Sequence, residues 1–262
     1  TPPANATNLI LNGVTQTLPT GVTNPATSLD DGYFAGIPIG FNFKFFTQTA
    51  NSVFIGTNGT IVMNVPGASG SSQYVFTGGF PNAGNPASTV ALAARDLRFG
   101  TPAGQGSLRY WTEGYAPNRR FIVQYAAVPT YDQTGVQNTE AVFYETTGVI
   151  DMRIIRATNS LPSTASSATK YIGLQDSTKT IGATAPRCST NTPNYWNGVT
   201  DTIGGASPQT WRFSPPSNYR TVWSANGVVV KDSTNKFSLS VSPSVTTLYS
   251  ISYTNQIGRA HV

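Results

Sequence analysis

Two short stretches carry the residue types of a serine–lysine nucleophile pair: Ser167 and Lys170 in S-A-T-K, and Ser233 and Lys236 in S-T-N-K. A serine becomes nucleophilic only when a base is held within hydrogen-bond reach. Both stretches are Ser/Thr-rich and lack a helical pattern that would fix the pair, so the spacing is read as a chance match. Carboxylate pairs are the next possibility, because glycoside hydrolysis commonly uses two acids on either side of the scissile bond. Glu140 and Glu145 are separated by an odd number of residues, which on a strand sends them to opposite faces. Asp30 and Asp31 face apart if extended; in a loop they can cap a turn or touch a cation. Cys188 is the single cysteine and His261 the single histidine, and once His261 is set aside with the terminal stretch it sits in, His-dependent triads, Cys–His dyads and histidine metal sites have no material to draw on. The stretch I-G-R-A-H-V at 257–262 is what a common short-read sequencing adapter yields when translated in one frame. We read it as a non-native tail with the natural protein continuing beyond, and Gln256 as the last residue that clearly belongs. The expectation is a noncatalytic protein with no cofactor and no metal.

The elements that would have to position such groups are strands. Only 10% of residues are charged, against about 25% in an ordinary soluble domain, while Gly, Pro, Ser, Thr and Asn are abundant. That composition suits a turn-rich all-β extracellular protein, and 11% aromatic residues give it enough apolar surface to fold. The formal net charge is +5, with basic residues scattered apart from a loose group at Arg95, Arg98, Arg109, Arg119 and Arg120. No block of like charge tracks a phosphate backbone, so no nucleic acid partner is expected. No apolar run is long enough for a membrane helix, so no membrane insertion is expected either.

Alternation predicts strands almost throughout. In G-F-N-F-K-F-F, Phe41, Phe43 and Phe45 share one face and Asn42 and Lys44 the other. S-V-F-I-G-T-N-G-T-I-V-M-N reads as a hairpin with a type I′ turn at Asn58-Gly59. R-R-F-I-V-Q-Y-A-A-V-P puts Phe121, Val123 and Tyr125 on one face until Pro129 closes it. A second hairpin turns at Thr146-Thr147-Gly148, with Ile150, Met152 and Ile154 on one side and Asp151 and Arg153 on the other. Glycine- and serine-rich loops fall at 64–89 and 157–169, and no convincing helix is found. The two prolines of S-P-P-S-N divide a domain over 1–214 from a shorter strand set over 215–256 that turns at Asn226-Gly227, too short for an immunoglobulin-like sandwich of about 100 residues.

The order F-N-F-K-F-F, S-V-F-I-G-T-N-G-T-I-V-M-N, A-L-A-A-R-D-L-R-F, L-R-Y-W-T-E-G-Y-A-P-N-R-R-F-I-V-Q-Y, E-A-V-F-Y-E-T-T-G-V-I-D-M-R-I, Y-I-G-L-Q-D-S resembles the nidogen-like β-sandwich module of large secreted and surface proteins of Bacteroidetes-type bacteria. The resemblance covers roughly residues 30–214. The later T-V-W-S-A-N-G and V-S-P-S-V-T-T-L-Y-S-I-S-Y-T-N are similar to PKD- or Ig-like repeats, here a partial one. The resemblance implies an antiparallel β-sandwich followed by a smaller Ig-like module, an extracellular or cell-surface location, and export by the type IX route. Members often carry an acidic pair where this chain reads Ala94-Arg95-Asp96-Leu97, which leaves one carboxylate there.

Function in such a protein lies in loops and strand edges. The loop S-T-N-T-P-N-Y-W-N-G-V-T-D sets Tyr195 and Trp196 between Asn194 and Asn197, and aromatic faces beside amides suit sugar rings and their hydroxyls. Trp196 folded back over the core is the competing reading, and Tyr110 and Trp111 are read as packing residues. The expected partners are surface glycans or other copies of the chain. Three roles stay open: adhesion or a structural element of a larger surface protein, a self-assembling extracellular filament subunit, and a glycan-binding module attached to a secreted enzyme.

Overall fold

The structure is a computed structural model that describes residues 1–24, 29–160, 164–185, 208–215, 219–234 and 239–255. The chain divides into two units, Thr1–Phe213 and Ser214–Val262. The first unit is an antiparallel β-sandwich. Its strands are β1 (Thr7–Leu11), β2 (Val14–Thr15), β3 (Tyr33–Phe45), β4 (Gln48–Gly56), β5 (Thr60–Met63), β6 (Thr89–Ala94), β7 (Ser107–Glu113), β8 (Arg120–Pro129), β9 (Val136–Tyr144), β10 (Ile150–Ala157), β11 (Tyr171–Gln175), β12 (Gly182–Thr184) and β13 (Gln209–Phe213). One helical turn, α1 (Ala165–Ala168), precedes β11. One sheet has the order β13-β10-β9-β8-β7-β1-β2 and the other β12-β11-β6-β5-β4-β3.

The alternation read from the sequence settles onto these sheets. In β3, Phe41, Phe43 and Phe45 are buried while Asn42 and Lys44 are exposed. In β8, Phe121, Val123 and Tyr125 are fully buried. Inward-facing rings join the sheets: Phe143 on β9 meets Phe43 on β3 edge-on, with centroids 5.3 Å apart, and Phe121 on β8 at 5.7 Å. The Tyr125 hydroxyl crosses the core to donate to the Gly56 carbonyl at 2.6 Å. Tyr110 and Trp111 are packing residues, as expected, and the Trp111 indole N–H is satisfied by Glu113 at 3.1 Å.

The glycine- and serine-rich stretch after β5 is an ordered layer. Residues 64–88 lie over the outside of the six-stranded sheet, where Phe76 and Phe80 pack with Ala91, Ala94 and Tyr171. Gln175 fastens this layer by donating to the Asn85 and Pro86 carbonyls and accepting from the Asn82 amide. Strands β5, β6 and β11 are consequently buried on both faces, which is why they read as continuous small or apolar runs.

The long β3 edge is protected. Thr112 donates its hydroxyl to the Ile39 carbonyl at 2.7 Å, and Arg119 donates to the Gly40 carbonyl at 2.6 Å. Irregular register on either side of Ile37 and Pro38 further breaks the ladder that another chain could extend.

The two Asn-Gly turns differ. Asn226 and Gly227 both have positive φ, at 49° and 82°, and join Ala225 directly to its partner Val228, as a two-residue I′ hairpin requires. At Asn58-Gly59 only Gly59 is left-handed, at 83°, and the last paired residues are Ile55 and Ile61. The type I′ expectation there is corrected: the loop is longer, and Asn58 is a buried interior residue. The second unit is a three-stranded antiparallel sheet of β14 (Tyr219–Ala225), β15 (Val228–Thr234) and β16 (Tyr249–Asn255), in the order β15-β14-β16.

Candidate functional site

At one rim of the sandwich, turns distant in sequence bring Asp30, Asp31 and Asp96 together, with one oxygen from each carboxylate within 4.8 Å of the others. Asp30 and Asp31 lie in the bend before β3. Thr57 anchors that bend: its amide donates to the Gly32 carbonyl at 2.9 Å and its hydroxyl to the Asp30 carbonyl. Asn58 is the bridge. Its side-chain N–H donates to the Asp31 carboxylate at 2.8 Å, its side-chain oxygen accepts the Leu97 amide at 2.8 Å, and its own carbonyl accepts the Arg95 amide at 3.1 Å. Gly59 permits this approach, since a Cβ there would stand 3.1 Å from the Ala94 Cα on a backbone already left-handed.

Asp96 is pinned from the other side. Its amide donates to the Ser166 carbonyl, its carbonyl accepts the Tyr131 amide, and its carboxylate accepts the Ser166 hydroxyl at 2.9 Å. Burial, with the charges of Asp30, Asp31 and Asp132 adding to it against the Ser166 hydrogen bond, pushes the Asp96 carboxyl up to about 6. Burial and then the Asp31 charge raise Asp30 as well, with Arg98 opposing. Asp132 goes the other way. Burial alone would raise it, but hydrogen bonds from the Thr130 hydroxyl, the Thr164 amide and the Thr134 amide and hydroxyl hold it far below the usual carboxylate range.

Three clustered carboxylates supply the hard oxygen ligands that a cation such as Ca²⁺ takes, although such ions want six to eight oxygens. The adjacent Asp30 and Asp31 thus have a third partner in Asp96, which no local spacing reveals. Behind Asp96 the neighbouring Arg95 points into the protein. It is fully buried, and burial lowers its pKa. It donates to Gln137 at 2.9 Å, to Asn159 at 2.7 Å and to the carbonyls of Val136, Thr158 and Ser167.

The other sequence candidates are built into the scaffold. Ser167 is buried and its hydroxyl accepts the Asp132 amide at 3.4 Å, while the buried Lys170 donates to the Ala168 carbonyl at 3.0 Å. Glu140 pairs with Arg153 at 2.7 Å and Glu145 with Arg119 at 2.5 Å. Ser233 lies on β15, whereas Lys236 is outside the described residues. So are Cys188, His261, the 257–262 tail and the aromatic loop with Asn194, Tyr195, Trp196 and Asn197.

The first unit is an all-β sandwich whose charged groups staple loops to strands. The chain belongs to the NIDO related family, whose model matches residues 11–215. No curated protein and no solved structure matches the chain. Among the described residues no helix is long and apolar enough to cross a membrane.

Proposed function

We propose that the chain is a noncatalytic module of a secreted or cell-surface protein, exported by the type IX route, that acts in adhesion or as a structural element. The observation that carries this reading is the use made of its chemical groups. Among the described residues, the Ser167–Lys170 and Glu140–Glu145 candidates read from the sequence are engaged in holding loops and strands. The second unit, in this reading, is a partial Ig-like module. Beads coated with the folded chain are expected to bind glycan-bearing surfaces better than beads coated with heat-unfolded chain, and panels of ester, peptide and glycoside substrates are expected to stay intact. Turnover that disappears in Ser167→Ala would overturn the reading.

Self-assembly is the second reading, favoured by one observation. Strand β15 is an edge strand on which Val228, Val229 and Val230 are 69%, 57% and 51% exposed. Such an edge is a template for pairing with another copy. Light scattering and negative-stain imaging should then show oligomers that disperse in Val228→Lys/Val230→Lys. A monomer at all concentrations would leave only the first reading.

A further inference from the structure

The layer formed by residues 64–88 contains a cleft that none of the groups above uses. It has a volume of about 300 Å³ and opens between the Gly67–Gln73 segment and the Gly84–Ala87 segment, with Lys179 on its border. That volume is at the lower end of the range for small-molecule sites.

Its walls are fixed before any ligand arrives. Gly70 lies directly on the Tyr33 ring, where a Cβ would come within 2.2 Å of the ring carbons, so only glycine allows the floor of the cleft to sit this low. The Gln73 side chain ties the two segments together by donating to the Val75 carbonyl at 2.6 Å and the Gly84 carbonyl at 3.3 Å. Asn85 is buried, and its side chain accepts the Thr77 amide and donates to the Thr77 and Gly79 carbonyls. A site whose loops are already ordered loses little entropy on binding.

Lys179 supplies the charge. It stands at the tip of the β11–β12 hairpin with φ of 60°, and Asp176 fixes that tip by accepting the Thr180 and Ile181 amides at 3.1 Å each. The Asp176 carboxylate is therefore committed to its own turn. The Lys179 ammonium donates one N–H to the Ala83 carbonyl at 3.0 Å; an ammonium has three. No carboxylate and no aromatic ring is among the described residues lining the cleft, which otherwise offers the Ser69 and Ser71 hydroxyls, the Gln73 side-chain oxygen and backbone groups of the glycines.

We infer that this cleft binds an acidic saccharide, with its hydroxyls on the Ser69–Gln73 segment and its carboxylate on Lys179. Apolar and nucleobase ligands lack the flat or greasy wall they need. The inference stands on the loop geometry and is independent of whether copies of the chain assemble.

The test is an NMR titration of the ¹⁵N-labelled full chain with trigalacturonate and, in parallel, with neutral maltotriose, following the amides of Gly67, Gly70 and Gly84. Saturable shifts are expected with trigalacturonate, with maltotriose at least about tenfold weaker, the difference expected of a charge-assisted bond. Lys179→Asn, which suits the left-handed backbone, should weaken trigalacturonate at least about tenfold without lowering the thermal midpoint. Ser69→Glu, on the exposed rim, should abolish binding by charge repulsion and serves as the second folded control. The inference is overturned if the glycine amides do not move with trigalacturonate, or if both sugars bind alike and Lys179→Asn makes no difference.

Discussion

Replacing Asp96 with Asn removes the one carboxyl that the rim cluster pushes furthest upward, and this should change how stability depends on pH. In the folded chain Asp96 titrates at about 6 against an ordinary 3.8, so the folded state holds its proton more tightly than the unfolded state. The stability this contributes is fully present below 3.8 and is lost as pH rises through about 6. A difference of that size corresponds to ~3 kcal/mol. Asp31 is exposed, so solvent reaches the mouth of the cluster and screening reduces this to about 1–2 kcal/mol. For a sandwich of this length the midpoint should fall by roughly 2–8 °C between about pH 4 and about pH 7. Asp96→Asn keeps an oxygen for the Ser166 hydroxyl but no longer titrates. It should remove most of the fall, leaving the part that the raised Asp30 carboxyl contributes, and should exceed the wild-type midpoint at about pH 7. Asp31→Asn should flatten the fall only in part, because burial is the larger cause of the shift in Asp96. Thermal melts by circular dichroism in EDTA, which keeps cations from masking the repulsion, measure all three proteins. An unchanged pH dependence in Asp96→Asn, or a lower midpoint than wild type at about pH 7, would refute the electrostatic account.

Asp132 predicts the opposite arm. Its hydrogen bonds hold its pKa down, so its contribution is present above 3.8 and lost as pH falls toward its lowered folded pKa. Asp132→Ala, which strands the Thr130, Thr134 and Thr164 donors, should cost about 2 kcal/mol in urea melts at neutral pH and should open the neighbouring loop to limited proteolysis. Tyr125→Phe leaves the buried Gly56 carbonyl without its 2.6 Å donor and should cost about 1–2 kcal/mol in the same assay. Phe143→Ala removes the ring shared by Phe43 and Phe121 and should cost about 3–5 kcal/mol. Thr112→Val/Arg119→Ala uncovers the Ile39 and Gly40 carbonyls, and light scattering should show a rise in association that neither single variant reaches.

Much of the sandwich is legible from alternation alone, because a half-buried strand repeats with the period of its pleat. Phe41, Phe43 and Phe45 fall on the inner face of β3 as read, and the hairpin at Gly148 turns where the glycine allows it. The layer over 64–88 is not legible. Its Phe76 closes a three-residue run after Tyr74 and Val75 that is too short to show a period, Phe80 sits between Gly79 and Pro81, and only the outer face of β6 and β11 gives the two rings something to cover. The rim cluster is hidden for a related reason: Asn58 joins the Asp31 turn to the Arg95–Leu97 turn, and contacts between strand ends far apart in sequence leave no trace in local spacing. Asn58-Gly59 shows the limit of a dipeptide signal. The pair suits a tight turn, yet here Asn58 is drawn inward by the Leu97 amide and Asp31.

The order of the seven-stranded sheet has a mechanical consequence. Strands β1 and β13, through which the chain enters and leaves the first unit, are separated by β7, β8, β9 and β10, a span of roughly 24 Å at ~4.8 Å per strand. Their registers place Thr7 beside Tyr110 and Phe213 beside Ile150, at the same end of the sheet. Tension applied at these two points runs across the strands, along the ladder hydrogen bonds, and loads those bonds one at a time. A pull at these points should therefore peel the sheet strand by strand from its borders, where a pull along the strands would load all of their bonds together.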